Sequence, residues 1–247
     1  MHLVVNCENV SVPLSNSRGN GLDIFYGETT IFESRVKEWY RYLPEDERTR
    51  AKQFKYEIDY CNYVASHALL NNELSNHSGI QKDQLRIERT GTGKPFLSDI
   101  DLSFSLSRNR EKFAFAIGAG KYYLGIDLES IRSNIDFVKI AYNYFSQNEI
   151  ELLLSSGLLK TRIRNFYELW TRREAILKAI GVGINTDLKK IKVLEGGNIA
   201  EIEGSPIESD TFFVKTFLYN NAIISFASSI NITPGFIDLS TRALSDF

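Results

Sequence analysis

The sequence predicts an α+β protein whose sheets are mainly antiparallel. Two observations lead there. Runs with period-2 alternation come in groups separated by groups of helical stretches, rather than one strand per helix as in a doubly wound fold. The order strand, helices, strands also occurs twice along the 247 residues, so the chain reads as two halves of similar build.

Taken in order, residues 22–33 begin with an alternating strand, Leu22-Asp23-Ile24-Phe25-Tyr26-Gly27. Residues 34–42 and 45–56 read as helical, and Asp59 is placed to cap a longer helix reaching about Asn76, where Ser, Asn and Gly accumulate. Strands follow near 84–89, 101–107 and 112–118. Gly118-Ala119-Gly120-Lys121 then reads as a hinge, dividing an N-terminal lobe (1–119) from a C-terminal lobe (120–247). The second half offers a strand at 121–129, helices near 134–144, 146–156 and 162–180, and strands near 188–194, 198–203, 211–218 and 221–229. Pro13 and the run from Ser15 to Gly21 mark the start of the chain as a loop, and Thr233-Pro234-Gly235 opens a tail of unassigned form.

Composition narrows the functional classes. With 43% hydrophobic and 24% charged residues the chain reads as a soluble globular protein long enough to bury a substantial core. No apolar run approaches the ~20 residues needed to cross a bilayer, and Met1 to Glu8 lacks the basic region of a signal peptide. Cys7 and Cys61 are far apart and lack metal-type spacing, which points to a reducing, cytoplasmic setting. His2, His67 and His77 form no cluster, which argues against a zinc site. A net charge of −2 argues against general attraction to nucleic acid. Charge is uneven, however: between Lys160 and Lys178 six bases face two acids. Such a stretch is either solvated surface or a face that steers an acidic partner.

Two stretches carry chemistry. Tyr122, Leu124, Ile126 and Leu128 alternate with Tyr123, Gly125, Asp127 and Glu129, the signature of a strand with one buried face. Asp127 and Glu129 therefore point the same way, with Cα atoms roughly 6.5–7 Å apart. They are either the wet side of an amphipathic strand or a pair able to share one cation. Further on, Trp170, Glu174 and Lys178 fall at i, i+4 and i+8 of a helix that Gly181 stops. Glu174 and Lys178 alone would be a surface ion pair worth ~0.3–0.5 kcal/mol. Three carboxylates and an ammonium brought together would hold a divalent cation against a pyrophosphate.

Together the two stretches resemble the signature of the Sfp-type 4′-phosphopantetheinyl transferases: a hydrophobic strand ending G-(I/V)-D-x-E, then W-(S/T)-x-K-E-(A/S)-x-x-K. Here the second motif reads Trp170-Thr171-Arg172-Arg173-Glu174-Ala175-Ile176-Leu177-Lys178, with Arg173 in place of the family's Lys. Gly93-Lys94-Pro95-Phe96 resembles the family's G-K-P turn, and Phe104-Ser105-Leu106-Ser107 its F-N-(I/L)-S strand. Leu43-Pro44-Glu45 through Phe54, followed by Tyr63 to Leu70, is similar to the family's N-terminal helical region. The likeness runs from about residue 40 to residue 185, in the family's order.

The resemblance implies two similar lobes packed as a pseudo-dimer with the active site between them. It implies that coenzyme A is the donor and an acidic apo acyl or peptidyl carrier protein the acceptor. Mg²⁺, with Mn²⁺ as the alternative, would be held by Asp127, Glu129 and Glu174. Glu174 would take the proton of the carrier's serine, Lys178 would meet the pyrophosphate, and Asp127 would be the next most important ligand. Lys94, Pro95, Ser107, Arg108, Arg50 and Lys178 would contact the coenzyme. A monomer is implied, without nucleic-acid or membrane partners.

The chain departs from the family in the coenzyme region. Arg108 stands in place of the family's His, Asn62 in place of an Arg, and Asn71 where the helix often ends in Arg. Losing one cation near the 3′-phosphate would weaken the nucleotide by about 1.5–3 kcal/mol, and Arg108 is expected to take that role, with Lys94, Arg50 and Lys55 as other cations. Arg173 is expected to bind phosphate or face the carrier. His67, Trp39, Tyr40 and Tyr42 read as packing residues, and Trp170 as the anchor of its helix. Two other functions share these residues: a coenzyme- or carrier-binding protein with little transfer, and a metal-dependent pyrophosphate or phosphodiester hydrolase.

Overall fold

The periodic runs fold, in chain order, as β1 (Leu22–Glu28), α1 (Thr29–Phe32), α2 (Val36–Trp39), α3 (Glu45–Ala51), α4 (Glu57–Ser78), β2 (Ile87–Arg89), β3 (Pro95–Leu97), β4 (Leu102–Arg108) and β5 (Lys112–Ala119). There follow β6 (Leu124–Ser130), α5 (Phe137–Tyr144), α6 (Gln147–Ser155), α7 (Leu159–Ile180), β7 (Ile191–Val193), β8 (Ile199–Ile202), β9 (Thr211–Tyr219), β10 (Ala222–Ser228) and β11 (Gly235–Asp238). This is an α+β arrangement with mainly antiparallel sheets. The computed structural model describes residues 21–155, 157–182, 188–193, 199–202 and 211–241. The expectations for the first twenty residues, Cys7 and His2 lie outside the described residues.

The chain divides into two compact units. Among the described residues the first comprises 21–91, 95–121 and 233–241. Its sheet has the order β11-β1-β5-β4, antiparallel except that β11 runs parallel to β1. The unassigned tail is thus an edge strand, a pairing no local pattern could signal. Helix α4, 22 residues long, lays Val64, Leu69, Leu70 and Leu74 into a core with Phe25, Phe32 and Phe115. It begins one turn earlier than its polar residues suggest. Tyr56 is the N-cap without a side-chain bond, and Asp59 lies inside the first turn, where its charge faces the helix dipole instead of capping. The single helix read over 34–42 is instead α2 between two 3₁₀ turns, Glu33–Arg35 and Tyr40–Tyr42, preceded by α1, and Phe32, Val36 and Trp39 are all buried.

Among the described residues the second unit comprises 92–94 and those of 122–232. Its sheet runs β6-β10-β9-β8-β7, antiparallel throughout. Asn220 and Asn221, with φ of 44° and 57°, make the two-residue turn between β9 and β10 that a tight hairpin requires. Helix α7, also 22 residues, packs Phe166, Leu169, Ile176 and Leu177 against Phe212, Val214, Ile223 and Ala227. Both long helices stop where a glycine takes left-handed backbone, Gly79 at φ 72° and Gly181 at φ 82°.

Strand β6 differs from its expected half-wet form. Gly125 and Asp127 are as buried as Leu124, Ile126 and Leu128, and only Glu129 and Ser130 at its end reach partial exposure. The cause is α7, which lies along the face that carries Gly125 and Asp127.

Candidate active site

Glycine at 125 sets the spacing of the site. A Cβ on Gly125 would run into the carbonyl oxygen of Ala175 and the amide nitrogen of Ala179, so α7 sits on β6 at a separation that any side chain would forbid. That approach brings one turn of α7 over the acids of the strand. Lys178 Nζ donates to Asp127 Oδ1 at 2.7 Å. Asp127 is 5% exposed, so this charge-assisted bond lies in a dry setting at one end and meets solvent at Lys178. Beside it, Glu174 Oε1 is buried with no hydrogen-bond partner among the described residues.

The charges respond to this crowding. Burial, then the Asp127 carboxylate, pushes Glu129 up to about 7; Glu174 pushes the same way, while Lys178 and Arg132 oppose. Glu174 is raised by burial and by Asp127, against Lys178. Asp127, Glu129, Glu174 and Lys178, 51 positions apart at the extremes, therefore form one electrostatic unit. Trp170, on the same stripe of α7, packs edge-on to Tyr144 at 5.6 Å and stacks on Phe166 at 6.1 Å, anchoring the helix as the spacing predicts.

The residues expected to meet coenzyme fall in different places. Arg108, at the end of β4, is partly buried and lies over the rings of Phe54 and Tyr63 at 5.1 and 5.0 Å. Burial lowers its pKa, and Arg50 acts in the same direction. Tyr63 is pushed up to about 12, chiefly by burial and next by Glu47, while Arg50, Arg108 and Arg89 oppose. The first unit thus gathers Arg50, Arg89 and Arg108 round one aromatic ring. Ser107 is 4% exposed on β4, and Pro95 opens β3. Lys94 belongs to the second unit, where its ammonium meets the carbonyls of Ala179 and, at 3.3 Å, Leu124. Burial lowers its pKa to about 8.

Three departures from the motif take on structural roles. Asn62 is fully buried and donates to Thr29 Oγ1 at 2.7 Å and to the Lys112 carbonyl at 3.3 Å, tying α4 to the first residues of α1 and β5. Asn71 donates to Glu47 Oε2 at 3.3 Å, and Glu47 Oε1 lies 2.8 Å from His67 Nδ1. Arg173 is a correction. Instead of binding phosphate or facing a partner it is 0% exposed, paired with Glu149, 4.4 Å over the Phe145 ring and hydrogen-bonded to Leu169 O. The basic stretch is likewise less free than its composition suggests. Arg164 pairs with Glu168 at 2.9 Å, Arg172 donates to Thr216 at 2.9 Å, and Arg173 and Lys178 each hold a carboxylate.

Sequence reasoning missed Arg132 and Tyr167, which line a cavity of about 460 Å³ with Glu129 and Trp170. The available signal was a base three residues past the acidic strand, with an aromatic one turn before Thr171 on the helix.

Comparison with known proteins places the chain in a family. Residues 123–227 match the 4′-phosphopantetheinyl transferase superfamily, and residues 32–125 match the 4′-phosphopantetheinyl transferase N-terminal family. The 4′-phosphopantetheinyl transferase HetI of Nostoc sp. (strain PCC 7120) is 31% identical over 166 residues, covering 65% of this chain and 68% of that protein. The 4′-phosphopantetheinyl transferase gsp of Aneurinibacillus migulanus is 37% identical over 105 residues, 42% of each chain. The L-aminoadipate-semialdehyde dehydrogenase-phosphopantetheinyl transferase of Xenopus laevis is 27% identical over 162 residues, 62% of this chain and 54% of that one. Both halves of the chain match, the acidic strand and its helix lie within the matched region, and the chain belongs to the 4′-phosphopantetheinyl transferase superfamily.

Proposed function

We propose that this protein transfers the 4′-phosphopantetheine group of coenzyme A to a serine hydroxyl of an apo carrier protein, releasing 3′,5′-ADP. The observation that carries the proposal is the meeting of Lys178 with Asp127 at 2.7 Å beside the buried, unbonded oxygen of Glu174. An ion pair at a helix surface needs no such neighbour.

The residues suit a hard divalent cation, Mg²⁺ before Mn²⁺. Their donors are carboxylate oxygens, and the raised Glu129 and the unbonded Glu174 oxygen are both relieved by positive charge. Asp127, Glu129 and Glu174 would hold it. Among the described residues no three acidic, His or Cys side chains already stand at metal-ligand spacing, and the Lys178 ammonium is seated on Asp127. The carboxylates are gathered rather than closed around a point. When bound, the cation neutralises charge on the donor's pyrophosphate.

The chain's own groups supply the rest. Glu174, raised above the ordinary carboxylate range, is suited to accept the serine proton as the hydroxyl oxygen bonds to the β-phosphorus. Lys178 contacts the pyrophosphate and stabilises charge on the oxygen that leaves with 3′,5′-ADP. Asp127 orients that ammonium. Arg108, with Arg50, supplies the cation for the 3′-phosphate in place of the family's His, and Lys94, Pro95 and Ser107 complete the coenzyme contacts.

Mass spectrometry of an apo carrier protein incubated with the enzyme, coenzyme A and Mg²⁺ tests the reading. Transfer adds one phosphopantetheine mass to the carrier. Coenzyme binding without a mass gain identifies a binding protein, and coenzyme breakdown without carrier modification identifies a hydrolase.

A further inference from the structure

The cavity beside Glu129 has a wall of Phe166, Trp170 and Ile140 and a polar rim that includes Arg132. Arg132 follows β6 in a segment whose backbone is tied down at two consecutive residues. The Ile131 N–H donates to the Asn221 carbonyl at 3.0 Å, and the Ile131 carbonyl accepts from Asn221 Nδ2 at 3.3 Å. The Arg132 N–H donates to the Tyr167 hydroxyl at 3.3 Å. Asn221 is itself fixed as a turn residue with φ of 57°. The segment is therefore held from the β9–β10 turn on one side and from α7 on the other. Among the described residues no carboxylate lies within ion-pair distance of the Arg132 guanidinium, although Arg164, Arg173 and Lys178 of the neighbouring helix each have one.

We propose that Arg132 is a substrate-binding residue that contacts the phosphate of the transferred group at the mouth of this cavity, and that Tyr167 is the positioning residue that holds it there. The proposal rests on the transferase reading above. Its chemistry follows from charge and shape. The acidic cluster has one cation, Lys178, on the Asp127 side. Arg132 supplies a second beyond Glu129, so the donor's pyrophosphate, with one negative charge on each phosphorus, meets a donor at each flank. A guanidinium binds phosphate oxygens in a bidentate fork, which a lysine in its place could not do. The aromatic wall behind it suits the uncharged arm attached to that phosphate, and a free inorganic anion would leave the wall unused.

Arg132→Ala, Arg132→Lys and Tyr167→Phe test the assignment. Steady-state transfer is measured against coenzyme A and against carrier, and inorganic pyrophosphate binding in Mg²⁺ is followed by ³¹P NMR. Arg132→Ala is expected to raise KM for coenzyme A and weaken pyrophosphate by about tenfold or more, with KM for the carrier unchanged. Arg132→Lys is expected to recover part of the loss. Tyr167→Phe is expected to raise KM for coenzyme A by a smaller factor, with an unfolding midpoint matching wild type. Wild-type pyrophosphate binding in Arg132→Ala overturns the proposal, as does an effect confined to the carrier's KM, which would make Arg132 a contact for an acidic protein surface. The pyrophosphate measurement needs no turnover, so a wild-type protein that binds it through Arg132 without modifying carrier refutes the transferase reading alone.

Discussion

Gly125 lies against the backbone of Ala175 and Ala179, with no room for even a methyl group between strand and helix. Everything that Glu174 and Lys178 do over β6 depends on that contact. Gly125→Ala is expected to destabilise the protein by about 3 kcal/mol, the upper range for overpacking, because the obstruction is backbone and cannot swing aside. Transfer activity is expected to fall with it even in the folded fraction, since α7 must lift. Urea unfolding and activity per folded molecule read both effects.

Lys178→Ala separates chemistry from folding. Its side chain is 33% exposed but its partner Asp127 is buried, so stability should fall by about 1–3 kcal/mol, leaving a folded protein to assay. The rate constant for transfer should drop about 10²–10³-fold if the ammonium stabilises leaving-group charge. A loss of stability with unchanged turnover would reverse the assignment.

Glu174→Gln should trade activity for stability. Burial and Asp127 raise the folded pKa of Glu174, so above its unfolded pKa the ionised side chain costs stability, and that cost persists at neutral pH. Removing the charge is expected to leave the midpoint of denaturation at or above wild type while carrier modification disappears. Retained modification would remove Glu174 from the mechanism.

Lys94 gives a pH signature. In the unfolded chain its pKa is the ordinary 10.5, and burial lowers it to about 8 in the fold. Between those values the unfolded chain binds more protons, so stability rises with pH; below about 8 the buried charge is present and its cost is constant. Relative to Lys94→Met, wild type should gain on the order of 2 kcal/mol between about pH 7.5 and about pH 9.5. Parallel stability curves for the two proteins would show that the ammonium is not desolvated.

Asn62→Arg introduces the residue that the family resemblance would place there, and it should not strengthen coenzyme binding. Asn62 is 0% exposed and bonded to Thr29. A guanidinium there is expected to cost several kcal/mol, about 3 or more, without tightening coenzyme A. Arg108→Ala, by contrast, should weaken coenzyme A by about tenfold or more. Calorimetric titration of both variants distinguishes the two positions, and tighter binding by Asn62→Arg would contradict the structural role.

The acidic strand, the Glu–Lys spacing and the glycine that ends α7 were legible because each is a local pattern. Alternation places Asp127 and Glu129 on one side, and a four-residue step places Glu174 above Lys178. The same rules misjudged Asp59 as a cap, because the true start at Glu57 is set by where Tyr56 leaves its extended conformation. They also missed β11, whose parallel pairing with β1 joins residues more than two hundred positions apart.

Residue type and spacing, then, picked out the acids and the base that the fold gathers, and the resemblance of their motifs pointed to the family. They could not say which polar side chains meet water. Arg173 and Asn62 ended in the core, Lys94 turned its ammonium to carbonyls, and Arg132 came to the rim of a cavity beside Glu129. Periodicity reports the face on which a side chain stands; what lies opposite that face is decided by elements distant in the chain, and only their packing fixes it.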